Sequence, residues 1–186
     1  MRVCVYCGSS PGDDPRFVAA ARAFGAMLAQ CGIGIVYGGG RVGLMGALAD
    51  AALAEGGEVV GIIPQFLEER EVAHVGVDLR VVSSMHERKA LMAELSDAFV
   101  ALPGGFGTLE EFFEIVTWVQ LGLTHAPCIL ADVEGFYAPL VAAIDRALES
   151  GFVSARNRAI VEVYGSLEQV VERLQSRAPG EGAQRA

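Results

Sequence analysis

The chain has 186 residues, 52% of them hydrophobic and 20% charged, and its formal net charge is −9. This is the size of one domain and too apolar for a disordered chain. No apolar run approaches the roughly 18 residues that span a bilayer, no secretory-signal pattern opens the chain, and the acid excess argues against a protein that tracks nucleic-acid backbones by charge.

A soluble, cytoplasmic α/β domain is the expectation, and the chain order bears on it directly. Residues 2–6 (RVCVY) predict a strand, and Phe17, Ala20, Ala21, Phe24 and Leu28 recur at helical spacing over about 15–30. Gly34 to Tyr37 predicts a second strand, Leu44 to Glu55 a helix closed by Gly56-Gly57, and Glu58 to Ile63 a third strand stopped by Pro64. Residues 64–78 are polar and acidic and read as a loop or a short helix. A strand at Leu79 to Val82 and a helix from about Met85 to Leu95 follow. Next come a buried strand at Ala98 to Leu102 and a helix at Leu109 to Gln120. The last elements are a strand at Cys128 to Ala131, a helix at Tyr137 to Glu149, a short strand at Ile160 to Val163 and a helix at Leu167 to Gln175. Strands joined by helices predict a Rossmann-like, doubly wound parallel sheet in one domain, residues 1–176. The tail, 177–186, has no large apolar residue and is expected to be disordered.

Ligands of such sheets bind outside the carboxyl ends of the strands, where the glycine-rich turns of this chain fall. The first turn is Cys7-Gly8-Ser9-Ser10, equally readable as a phosphate or ribose contact and as an ordinary turn. Cys4 and Cys7 form a single C-x-x-C inside and at the end of a strand, and read as buried thiols and not as a zinc or redox pair. The second turn holds Gly38, Gly39, Gly40 and Gly43, a literal G-x-G-x-x-G. The next strand ends in Ile63-Pro64-Gln65 without the acid a dinucleotide site requires, so a mononucleotide fits better than NAD. No P-loop pattern occurs.

The third turn is Pro103-Gly104-Gly105-Phe106-Gly107-Thr108-Leu109-Glu110-Glu111, where free amides, a hydroxyl and a helix dipole can serve one phosphate. Locally, Thr108 and Glu111 also fit a capping box, with Thr108 as cap. A fourth segment, Met85-His86-Glu87-Arg88-Lys89, puts two cations near a helix start, where they gain nothing without an anion to face.

PGGFGTLEE and MHERK, with YGGGRVGLMG and CGSS in the same order, resemble the LOG ("lonely guy") family of cytokinin riboside 5′-monophosphate phosphoribohydrolases over about residues 1–175. The resemblance implies hydrolysis of the N-glycosidic bond of AMP or N6-modified AMP, giving free base and ribose 5-phosphate. It implies no cofactor and no metal, a nucleoside 5′-monophosphate as ligand, and a homodimer. It also runs against the lysine decarboxylase label that some members have carried.

By motif, Glu111 is the implied catalytic carboxylate and Arg88 its catalytic partner, holding substrate and positioning Glu111, while Lys89 adds charge for the nucleotide. That pairing favours a catalytic over a capping Glu111. The phosphate is implied to lie over Gly104, Gly105, Gly107 and Thr108, with Phe106 and Leu109 as further substrate-binding residues. Gly38, Gly39, Gly40, Gly8 and Ser9 line the pocket. Glu71 is implied near the base, with Met85 packing on it and Glu110 and Thr117 as further pocket residues. The competing reading is a non-catalytic carrier of a nucleotide or of molybdopterin cofactor on the same fold. A single-stranded DNA binder of related topology ranks lower, on charge. Phe112, Phe113, Trp118, Leu121 and Leu123 read equally as core and as a dimer seam.

Overall fold

The computed structural model describes residues 1–68 and 72–176. Glu71 and the tail 177–186, for which a substrate contact and disorder were expected, lie outside these residues. Seven strands and seven helices are described, in the order β1 (Arg2–Tyr6), α1 (Pro15–Gln30), β2 (Gly34–Tyr37), α2 (Gly43–Ala54), β3 (Val59–Pro64), β4 (Asp78–Val82), α3 (Met85–Glu94), β5 (Ala98–Ala101), α4 (Phe106–Gln120), β6 (Cys128–Ala131), α5 (Ala138–Glu149), α6 (Ala155–Arg158), β7 (Val161–Tyr164) and α7 (Leu167–Gln175). Short 3₁₀ turns at Gln65–Leu67 and Val133–Gly135 complete the path.

The strands form one sheet in the order β4-β3-β2-β1-β5-β6-β7, every neighbouring pair parallel. The chain winds outward from β1 to β4, then returns to the other side of β1 with β5. The switch point therefore lies between β1 and β5, where the expected doubly wound fold leaves a crevice. The alternation of β1 shows why both faces are covered. Val3 and Val5 join Phe24, Leu28 and Leu48 in a core under α1, α2 and α7. Cys4 and Tyr6 join Phe99, Phe112 and Ile115 in a second core under α3 and α4.

The helix starts differ from their sequence signals at one informative place. Asp14, Ser84, Ser154 and Ser166 each cap a helix through a side-chain oxygen. At α3 Ser84 Oγ accepts from Glu87 N–H at 3.2 Å, and Glu87 reaches back past the cap to accept from the Ser83 N–H and hydroxyl at 2.8 and 2.7 Å. A serine cap with a glutamate reaching back to the residue before it is thus a feature of α3 and not of α4. Helix α4 begins three residues earlier than expected, with Gly105 as its cap and no side-chain cap bond. Thr108 is inside the first turn and cannot be the cap, which removes the capping reading of Glu111. The single turn of α6 escaped sequence analysis, being too short to show a period.

Candidate active site

The loops that follow β1 and β5 are tied to each other, for Gly8 N–H donates to Pro103 O at 3.1 Å. The first loop is also fastened to α2, whose Leu44 N–H donates to Gly8 O at 3.0 Å. Above this junction lies a cavity of about 280 Å³. Its walls come from the end of β1, the Gly8-Ser9 turn, Gly38, and the first turn of α4. Met85 and Arg88 enter from α3, and Glu110 and Glu111 from α4.

Arg88 is the buried cation of the site, 4% exposed. Its Nε donates to Ile62 O at 3.1 Å and its Nη2 to Gly38 O at 2.8 Å, so the ends of β3 and β2 hold the guanidinium. A Cβ on Gly38 would lie 2.2 Å from that Nη2, which is why this position has no side chain. Glycine is needed at Gly104 for a related reason. A Cβ there would meet Thr108 Oγ1 at 2.1 Å and the Gly8 amide nitrogen at 2.9 Å, wedging the two loops apart.

Glu111 is half-buried and faces the end of β1. Burial raises the Cys4, Cys7 and Tyr6 ionisations, and the negative charge of Glu111 adds to the effect at all three. Tyr6 and Cys7 are therefore neutral walls, and Cys7 is no nucleophile at neutral pH. The first turn of α4 leaves its opening amides to the cavity. A helix without a side-chain cap, with glycine at the cap and again at position 107, presents them openly to an anion.

The cavity brings together Gly8, Ser9, Gly38, Met85, Arg88, Gly105, Phe106, Gly107, Thr108, Glu110 and Glu111. Other expected residues stand elsewhere. Gly104 lies behind the wall, under Thr108. Gly39 O accepts from His74 N–H at 2.9 Å, and Gly40 bridges Ala73, so these two hold the incoming loop and do not line the cavity. That loop is fixed further by buried His74, whose Nε2 lies 3.0 Å from Asp50 and whose Nδ1 accepts from Gly76 N–H. Leu109 packs into the second core. Thr117 is exposed, and its hydroxyl donates to Phe113 O at 2.7 Å.

Lys89 is also absent from the lining. Its ammonium sits 2.6 Å from Glu110 and 3.0 Å from Glu114. Sequence analysis missed Val5, Tyr6, Cys7, Met45 and Leu67 as lining residues. Tyr6 and Cys7 had a usable signal, since they stand at and just after the end of the central strand, and Met45 lies within YGGGRVGLMG; Leu67 had none.

Fold and cavity together define a Rossmann-like α/β protein with a crevice at the switch point of the sheet. The family model described as "Possible lysine decarboxylase" matches residues 45–174. A cytokinin riboside 5′-monophosphate phosphoribohydrolase of Rhodococcoides fascians is 48% identical over 176 residues, covering 94% of this chain and 89% of that protein. One from Arabidopsis thaliana is 45% identical over 179 residues, covering 96% and 84%. The chain belongs to this family, the LOG family of the sequence resemblance.

Among solved structures, a molybdenum cofactor binding protein from Rippkaea orientalis superposes with a TM-score of 0.69 at 23% identity, over 94% of this chain and 95% of that one. DNA processing protein A from Helicobacter pylori gives 0.59 at 13% identity, over 94% and 80%. These two share the fold alone.

The description of the family model invites a direct test. Pyridoxal enzymes hold their cofactor through a lysine whose amine must become neutral. This chain has a single lysine, Lys89. Burial opposes its charge, but Glu110 and Glu114 prevail and hold it above the ordinary lysine range. A lysine pinned as a cation between two carboxylates does not fit Schiff-base chemistry.

Proposed function

We propose that this protein hydrolyses the N-glycosidic bond of adenosine 5′-monophosphate or its N6-modified derivatives, releasing free base and ribose 5-phosphate. The observation that carries this reading is the meeting of Arg88 and Glu111 in one cavity with the uncapped first turn of α4. A carrier needs the amides; it has no need of a carboxylate beside the sugar.

In this reading the 5′-phosphate rests on the amides of Phe106, Gly107 and Thr108 and on the Thr108 hydroxyl. Glu111 faces C1′. As the C1′–N bond breaks, its electron pair leaves with the base, and positive charge grows on the ribose as in glycosidase transition states. The Glu111 carboxylate stabilises that charge and takes a proton from the water that adds to C1′. The departing base takes up a proton from solvent and Glu111 returns its own, so free base and ribose 5-phosphate leave and the carboxylate is regenerated. Arg88, anchored to Gly38 O and Ile62 O, supplies a fixed positive charge for the nucleotide. The apolar wall of Met45, Met85 and Leu67 suits a purine face.

The test is to incubate the purified protein with AMP and with isopentenyladenosine monophosphate and to separate the products chromatographically. Free base and ribose 5-phosphate are expected, and Glu111→Gln should fold normally while losing roughly 10²-fold or more of the rate. Normal turnover by that variant would remove Glu111 from the mechanism.

A homodimer is part of the same reading. Its support is the row of exposed apolar side chains on and just after α4, namely Phe113, Leu121 and Leu123 at 37%, 65% and 69% exposure. Light scattering should return twice the chain mass. Among the described residues no helix is long and apolar enough to cross a membrane, in keeping with a protein acting in the cytoplasm.

A further inference from the structure

We propose that Lys89 is a positioning residue: its ammonium locks Glu110 and Glu114 of α4 onto α3, fixing how the helix bearing Arg88 lies against the helix bearing Glu111. The activity readout of this inference rests on the hydrolase reading; its geometry does not.

The residues pair off in sequence. On α3, Arg88 and Lys89 are consecutive; on α4, Glu110 and Glu111 are consecutive. Successive helical residues point about 100° apart, so Arg88 faces the cavity and Lys89 the seam beside it, where Lys89 meets Glu110 at the cavity's edge. Arg88 and Glu111 line the cavity, whereas Lys89 lies in the seam with its side chain only 13% exposed. Glu110 and Glu114 stand one turn apart on the same face of α4, and the ammonium reaches Oε1 of each, at 2.6 and 3.0 Å. A compact ammonium with three rotatable donors suits two carboxylates on different turns better than a planar guanidinium. In a chain whose other basic side chains are arginine or histidine, this is the one place where lysine is used.

The lock has an electrostatic side as well. Glu110, Glu111 and Glu114 put three carboxylates within five residues. Glu110 also lines the cavity in which the phosphate is proposed to bind. Without Lys89, two of these charges would face the third and the incoming dianion unpaired. Glu111 would then be displaced from its working geometry, and a shift of that kind costs transition-state stabilisation more than ground-state binding.

A mutant cycle tests this. Wild type, K89M, E110Q/E114Q and K89M/E110Q/E114Q are compared for release of free base from AMP and for melting temperature. The lock predicts that K89M in the wild-type background lowers kcat on the order of 10- to 100-fold, with a smaller change in KM and a lowered melting temperature. It predicts that the same substitution in the E110Q/E114Q background has little further effect on either. A direct contact between Lys89 and the nucleotide predicts an equal loss in both backgrounds, carried by KM, and that result would overturn the proposal. Should the wild type release no base from any nucleoside monophosphate, the hydrolase reading fails by itself. The melting cycle then decides the lock, and equal effects of K89M in the two backgrounds reject it.

Discussion

At Gly38 the absence of a side chain is a steric requirement that no local pattern explains. The position reads as one of three consecutive glycines awaiting an anion, yet its carbonyl receives the Arg88 guanidinium, and a Cβ would fall 2.2 Å from Nη2. Gly38→Ala should push that guanidinium out of place, lowering base release roughly 10- to 100-fold, while overpacking costs about 1–3 kcal/mol in a urea titration. A variant that lost stability but kept its rate would show that Arg88 can be held otherwise.

Lys89 makes the same point from the other direction. Its position in MHERK marks it for the site, but its partners lie more than twenty residues further along the chain, and only the folded structure brings them within 3.0 Å. Residue identity was legible in such motifs; the direction of each side chain was not.

Among the elements, the strands were the most legible, because short β-branched runs ended by glycine or proline have few other readings. Helix starts were harder. The Thr108-x-x-Glu111 pattern satisfies the capping-box rule as well as Ser84-x-x-Glu87 does, but only Ser84 caps its helix, with Glu87 reaching back to Ser83, since α4 begins at Phe106 with Gly105 before it. Ser84→Ala should therefore cost about 1 kcal/mol, measurable by thermal or urea unfolding.

The Glu87 carboxylate, which accepts from the Ser83 hydroxyl and N–H, is held below the ordinary carboxylate range by those two hydrogen bonds. Its contribution is thus complete above the unfolded value and fades as pH falls through the lower folded one. An acid titration of stability should lose less in Glu87→Gln than in the wild type, the two curves converging at low pH. The stretch between β3 and β4 was the least legible. Its fixing contacts, His74 to Asp50 and to Gly39 O, are made to distant elements and leave no periodic trace.

For the whole molecule, the parallel arrangement was readable because strand and helix alternate with crossover-length connections. The position of the candidate cavity followed from it, since the glycine turns of β1 and β5 meet where the winding reverses. The two faces of the sheet are not covered alike, however. Helices α1 and α2 bury Phe24, Leu28, Leu44 and Leu48 completely or nearly so, whereas α5 and α6 have no fully buried residue at all. Backbone amides become free to trade protons with solvent where few apolar contacts must open first. In a deuterium-labelling experiment on dilute protein, α5 and α6 should take up label well before α1 and α2. The outer wall on that face would then come loose as a unit of its own, while β1 and β5, which carry the crevice, stay protected until the whole sheet gives way.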